Sequence, residues 1–178
     1  MSTRRHYFSK ISTALAALAG GRLLAGQAPG SAPAAGPSRS NHVHNGVYYF
    51  SGTGSNDGYP KEDHVLVTDP FEKHVSRTMD ALKKSLQENG CTMDSILHLE
   101  VFLCLPLADG AAMPTGKARF DAHKAQYDAL NKIYRTYFSP GKAPSRACMA
   151  VEWIPGDSLI EIVGSATVVN PLQPAKGE

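Results

Sequence analysis

Only three cysteines, Cys91, Cys104 and Cys148, occur in 178 residues, and no two of them stand as Cys-x-x-Cys. An odd, widely spaced set argues against a disulfide framework and against a zinc site. Long apolar runs are equally scarce: outside the first 35 residues, no segment reaches the roughly 18 consecutive apolar residues that a membrane-spanning helix needs. Glycines are plentiful, but none forms a Gly-x-Gly-x-x-Gly opening to a helix, so nucleotide binding is not indicated. Positive charge is missing where a nucleic acid would require it. Residues 1–35 hold Arg4, Arg5, Lys10 and Arg22 and no acid, which leaves 14 of the 18 basic residues against all 16 acidic ones, a net charge of −2. That remainder has no basic stripe interleaved with aromatics, and nucleic acid is not an expected partner.

The N-terminus has the order of an export signal. Arg4-Arg5 and Lys10 precede a mostly small and apolar run from Ile11 to Ala25, and Ala28-Pro29-Gly30-Ser31-Ala32-Pro33-Ala34-Ala35 follows. The paired arginines, Tyr7 and Phe8 resemble a twin-arginine signal. Residues 1–35 are therefore expected to be a signal and linker, with an exported, periplasmic product. The alternative is a cytoplasmic protein with a disordered tail. One domain is expected over 36–170, followed by a tail over 171–178.

Within that domain the pattern reads ββαβαββ. Val47 to Ser51 is β-branched and aromatic between turn residues, with a short hairpin partner near Asn41 to His44. Asp69-Pro70-Phe71-Glu72 combines a capping Asp, Pro at the first helical position and an acid, opening a helix over about 70–89. Val75, Met79, Leu82 and Leu86 form its apolar face, and Asn89-Gly90 stops it. Ile96 to Leu103 reads as a strand with Leu97, Leu99, Val101 and Leu103 facing the helices. A second helix is expected over Arg119 to Phe138, with an apolar stripe of Phe120, Tyr127, Leu130, Tyr134 and Phe138. Ser145 to Ile154 and Ser158 to Val169 read as strands joined across Pro155-Gly156-Asp157. Two amphipathic helices can bury their stripes on one face of a mixed sheet, giving a two-layer α+β domain.

Chemistry concentrates in the last two strands, where Arg146 and Glu161 lie inside apolar runs. A charge placed there costs several kcal/mol by order of magnitude unless it meets a salt bridge, a subunit or a ligand. A guanidinium fork suits a small carboxylate. If Pro155-Gly156 made a tight hairpin, Ala150 would face Glu161, and Arg146 and Glu161 would share a face roughly 13 Å apart along the strand. His42-x-His44 is a single weak pair for a metal. His64, His74, His98 and His123 share no motif and read as surface or packing residues.

Pro144-Ser145-Arg146-Ala147-Cys148, with Val151 and then Ile160-Glu161-Ile162, resembles the signature of the RidA/YjgF family. Gly36-Pro37, Ser51-Gly52 and the Asn131-Lys132-Ile133-Tyr134 helix match further pieces in order. The resemblance implies a chorismate mutase-like homotrimer with its sites at subunit interfaces, and a cofactor-free imine or enamine deaminase. Arg146 would then anchor a substrate carboxylate and Glu161 orient water, with Cys148, Ser51, Gly52 and Asn131 lining the site. The opening motif departs from the family: Gly36-Pro37-Ser38-Arg39-Ser40 lacks the expected Tyr and Gln. Some eighteen extra residues also fall within about 104–123, a loop length that is more often functional or disordered than neutral. A non-catalytic module of the same fold, binding a small carboxylate or a protein, is the competing reading. The ribonuclease label of some family members finds no support in the charge balance.

Overall fold

The computed structural model describes residues 42–107 and 111–170. The leader, the Gly36-Pro37 opening, the tail and the His42 side chain lie outside the described parts.

The order is β1 (His42–His44), β2 (Val47–Gly54), α1 (Phe71–Glu88), β3 (Ile96–Cys104), α2 (Gly116–Tyr134), β4 (Ser145–Val151) and β5 (Ile160–Thr167). Both helices cover one face of a five-stranded mixed sheet, in agreement with the pattern read from sequence. Val75, Met79, Leu82 and Leu86 of α1 are fully buried and pack in one core with Tyr48, Phe50, Leu99, Val101 and Ile162 of the sheet. Leu130 and Tyr134 add the contribution of α2. Gly90 takes φ +71° and the Cys91 amide donates to the Leu86 carbonyl, which closes α1 as Asn89-Gly90 foretells.

The helix starts and the α2 stripe differ from expectation. Asp69 does not cap α1; its carboxylate accepts from the Leu66 amide and the Lys73 ammonium, closing the turn before the helix. The second helix begins three residues early, at Gly116, inside the segment expected to be loop, and of the insertion before it the described residues 105–107 and 111–115 are irregular. Its apolar stripe splits: Leu130 and Tyr134 go inward, while Phe120 is 67% and Tyr127 43% exposed. Gln126 takes an inward position instead, because its side-chain amide can donate to the Cys104 carbonyl at 2.8 Å.

Strand pairing supplies the largest correction. The order across the sheet is β1-β2-β5-β3-β4, so β4 and β5 are not neighbours. β4 runs parallel to β3 on the sheet edge, whereas β5 lies antiparallel between β2 and β3. β4 ends at Val151, leaving Trp153 71% exposed, and residues 152–159 step over the end of β3. There the Cys104 amide donates to the Leu159 carbonyl at 3.0 Å. A tight Pro155-Gly156 hairpin is thus replaced by an eight-residue crossover wide enough to straddle one strand. A second departure lies at the start of β3, where an irregularity between Ile96 and His98 buries Ile96 and turns Leu97 outward, 51% exposed.

One polar network is sealed inside the fold. His74 and Ser55 are fully buried, and Ser55 Oγ lies 3.0 Å from His74 Nδ1 and 3.1 Å from Ser158 Oγ. Ser158 Oγ donates on to the Ile160 carbonyl, and His74 Nε2 lies 3.0 Å from the Leu66 carbonyl. The Leu66 carbonyl can only accept and the Leu159 amide donates to Nδ1 at 3.4 Å, which assigns a neutral imidazole that donates from Nε2 and accepts at Nδ1. Burial lowers its pKa from the ordinary 6.5. The unfolded chain therefore binds a proton on His74 before the folded one does, so stability is full above about pH 6.5 and declines as pH falls below it.

Two outcomes are expected. Urea midpoints should fall on acidification from pH 7.5, with a His74 contribution of up to about 1.4 kcal/mol per pH unit; His74→Gln should remove that contribution while costing about 1–3 kcal/mol at pH 7.5. At Gly164 a Cβ would stand 2.4 Å from the His98 carbonyl oxygen and 2.9 Å from Phe50 Cζ. Gly164→Ala should therefore lower the unfolding free energy by about 1–3 kcal/mol in the same assay.

Candidate functional site

The side chains singled out in the sequence gather at two stations on opposite faces of the sheet. Arg146 pairs across the ladder with Leu99 of β3, and Glu161 with Phe102. Those two β3 positions are three residues apart, an odd number, and successive side chains alternate faces. Arg146 consequently lies on the helix side with Leu99, and Glu161 on the other side. The shared face expected from a β4–β5 hairpin is overturned. With β3 between their strands and three residues of offset, their backbones are roughly 14 Å apart.

The Arg146 station is built between edge strand β4 and helix α2. The guanidinium carbon lies 4.1 Å above the Tyr134 ring and 5.6 Å from that of Tyr127, a cation held over aromatic faces. Nη2 donates to Asn131 Oδ1, while Nη1 is buried with no hydrogen-bond partner. No acid among the described residues lies within ion-pair reach of Arg146. A buried donor left open on a charged group costs about 1–3 kcal/mol or more, so this nitrogen is poised to donate to an anionic or carbonyl oxygen. Asn131, expected to line the site, thus aims the guanidinium. The Tyr134 hydroxyl is also buried without an adequate partner, and burial raises its pKa against the opposing pull of Arg146.

Cys148, two residues along the same face of β4, has its thiol pKa raised by burial, with the nearby Arg146 charge opposing. It stays a thiol at neutral pH and serves as wall.

The Glu161 station lies where the start of β5 pairs with the end of β2, Glu161 opposite Gly54. Here Phe50 and Thr53 flank an irregularity in the β2–β5 register, and Gly52 takes φ +65°. A Cβ on Gly52 would stand 3.9 Å from the Glu161 carboxyl, which puts this glycine beside the acid. Ser51 is exposed next to it. A cleft of about 280 Å³ opens over Glu161, lined also by Gly54, Asp57, His64 and Ser158. Asp57 accepts from the Gly54 amide at 2.6 Å. Burial first, and then the Asp57 charge, raise the Glu161 pKa above 4.5. Its folding contribution is complete below pH 4.5 and is lost as pH rises through the raised value, so the ionised acid is held at a cost in stability. A carboxylate so tuned is a better proton acceptor near neutral pH.

Asp57, Ser158 and His64 were not singled out as site residues. Only Gly52-Thr53-Gly54-Ser55-Asn56-Asp57-Gly58, a glycine-rich turn following a strand, marked the region. Among the described residues no three His, Cys, Asp or Glu side chains are placed to hold a metal, and no helix is long and apolar enough to cross a membrane.

No family model matches the chain. It is 27% identical over 127 residues to a RutC family protein of Synechocystis, covering 71% of this chain and 82% of that one. Among solved structures it is similar to YyfA of the Rid family from Yersinia pestis, with TM-score 0.57 and 22% identity over 75% of this chain and 89% of that one. RidA of an Antarctic Psychrobacter matches with TM-score 0.55 and 16% identity, covering 76% and 91%.

If Asn131 aims Arg146, Asn131→Ala should weaken binding of pyruvate, a minimal 2-oxo carboxylate, about five- to tenfold, or about 1 kcal/mol, by isothermal titration. Unchanged affinity would show that the guanidinium holds its position without the amide.

Proposed function

Given that the chain belongs to the RutC/RidA (YjgF) family, we propose that it hydrolyses small, reactive 2-imino acids or their enamine tautomers to 2-keto acids and ammonia. The observation that carries this reading is the buried, unpartnered Nη1 of Arg146. It is a preformed contact for one substrate carboxylate oxygen, with the forked guanidinium braced on Tyr134. Glu161, with its raised pKa, takes a proton from water as the oxygen attacks the C=N carbon. The C=N π pair moves to nitrogen, and that proton and one from solvent are delivered there. Collapse of the tetrahedral carbinolamine breaks the C–N bond and forms C=O as the hydroxyl proton passes to Glu161 or solvent, releasing ammonia. Positioning supplies most of the help, because such imines already hydrolyse unaided.

The opposite faces of Arg146 and Glu161 give this reading an assembly requirement. A complete site takes Arg146 from one copy and Glu161 from another, in keeping with the homotrimer that the sequence resemblance implies. No cofactor has a part in the reaction. The competing reading, a binding module for small carboxylates, draws on the same Arg146 geometry and omits the Glu161 step.

The test is ammonia release from freshly generated 2-iminopropanoate against an uncatalysed control. Acceleration should fall about 10²-fold or more in Arg146→Ala and in Glu161→Gln. The wild-type rate should decline as pH falls through the raised Glu161 value, since the base must be ionised. Pyruvate binding without acceleration would leave the module reading standing. A monomeric mass by light scattering in a fully active preparation would refute the two-copy site.

A further inference from the structure

Beside Arg146 the sheet edge carries a second cavity, which the deaminase chemistry described above does not use. It measures about 400 Å³ and lies between β4 and the outer half of α2, with Leu103, Phe120, His123, Tyr127, Cys148 and Met149 among its walls. Two of these residues join it to the anchor. Cys148 follows Arg146 by two residues on the same face of β4, about 7 Å along the strand. The Tyr127 ring both lines the groove and lies 5.6 Å from the guanidinium carbon. The groove therefore lies within reach of a small ligand whose carboxylate meets Arg146.

The size and lining of the groove are unsuited to a methyl group. A cavity of roughly 150 Å³ already holds benzene, and this one is more than twice that. Phe120 and Tyr127, seven residues apart on one side of α2, leave ring surface exposed along it. The wall also contains a polar group in need of a partner. His123 Nδ1 lies 3.3 Å from Gln126 Oε1, and the Gln126 amide nitrogen donates to Cys104, so Oε1 accepts and Nδ1 carries the proton. That leaves His123 Nε2 a buried acceptor with no partner. The exposed rings give the groove a mostly apolar wall suited to an aromatic side chain, and His123 Nε2 is its one buried acceptor without a partner among the described residues.

We infer that this groove is the specificity pocket of the Arg146 site and that the ligand is a 2-imino or 2-oxo acid with a bulky aromatic side chain. The inference rests on Arg146 as carboxylate anchor. Phe120 and Tyr127 set the preference by flanking the ring, and Cys148 lies at the junction between acid end and side chain.

Titration of the full chain with pyruvate and with phenylpyruvate tests the groove apart from catalysis. Phenylpyruvate should bind about tenfold or more tightly than pyruvate, both dependent on Arg146, and Phe120→Ala should cut that ratio to about threefold or less. Equal affinities, both lost in Arg146→Ala, would overturn the groove assignment and leave the anchor in place. An aromatic preference that persists in Arg146→Ala would keep the groove as an aromatic site but remove the anchor, and with it the inference as stated. Binding of neither acid would overturn both. If Phe120→Ala changes the assembly mass by light scattering while the ratio stays at the wild-type value, the groove is a contact between copies and the inference fails.

Discussion

The register around β3 governs everything else in this molecule. With β4 parallel on one side and β5 antiparallel on the other, each β3 residue fixes the facing of a residue on both neighbours. Leu99 ties Arg146 to the helix side and Phe102 ties Glu161 to the opposite side, and no change of rotamer brings the two charges together. A slip of one residue in either ladder would exchange faces, but it would also drive Ile160 and Ile162 out of the core or Arg146 away from Tyr134. Hydrophobic burial therefore holds the charged groups where they are, and the chemistry inherits its geometry from the packing.

The two stations are stabilised by different means. Around Arg146 the cation rests on aromatic rings and an amide, neutral partners that fix its direction without cancelling its charge. Around Glu161 the support comes from the interior: Ser158 lines the cleft and belongs to the Ser55–His74 network that ties β2, α1 and the start of β5 together. That network contains a serine and an imidazole in contact, yet its members are buried and Ser158 is committed to the Ile160 carbonyl. It is scaffolding for the cleft, and not a nucleophile.

Much of this was legible in the chain. Arg146 and Glu161 stand out because charge inside a β-branched run has a cost that local pattern alone reveals, and α1 was clear because four apolar residues repeat with helical period before Asn89-Gly90. What could not be read was which strand lies beside which. Residues 145–169 look like a hairpin locally, and only the β3 surface, fifty residues upstream, decides that β4 and β5 straddle it. The outward turn of Leu97 depends on an irregular register, and the inward turn of Gln126 on a carbonyl at the end of another strand; neither leaves a periodic trace. Asp57 was missed for a related reason, since its influence on Glu161 comes through space from a turn that sequence shows only as glycine-rich.

Helix α2 divides its labour along its length. Leu130 and Tyr134 fasten it to the core, whereas Phe120 and Tyr127 stand clear of that attachment on the groove side. Replacing either outer ring reshapes a cavity without opening one in the interior. On the groove reading, the side chains that would set ligand preference and those that hold the helix in place sit on separate turns, so a swap at Phe120 or Tyr127 leaves the anchoring contacts of Leu130 and Tyr134 intact.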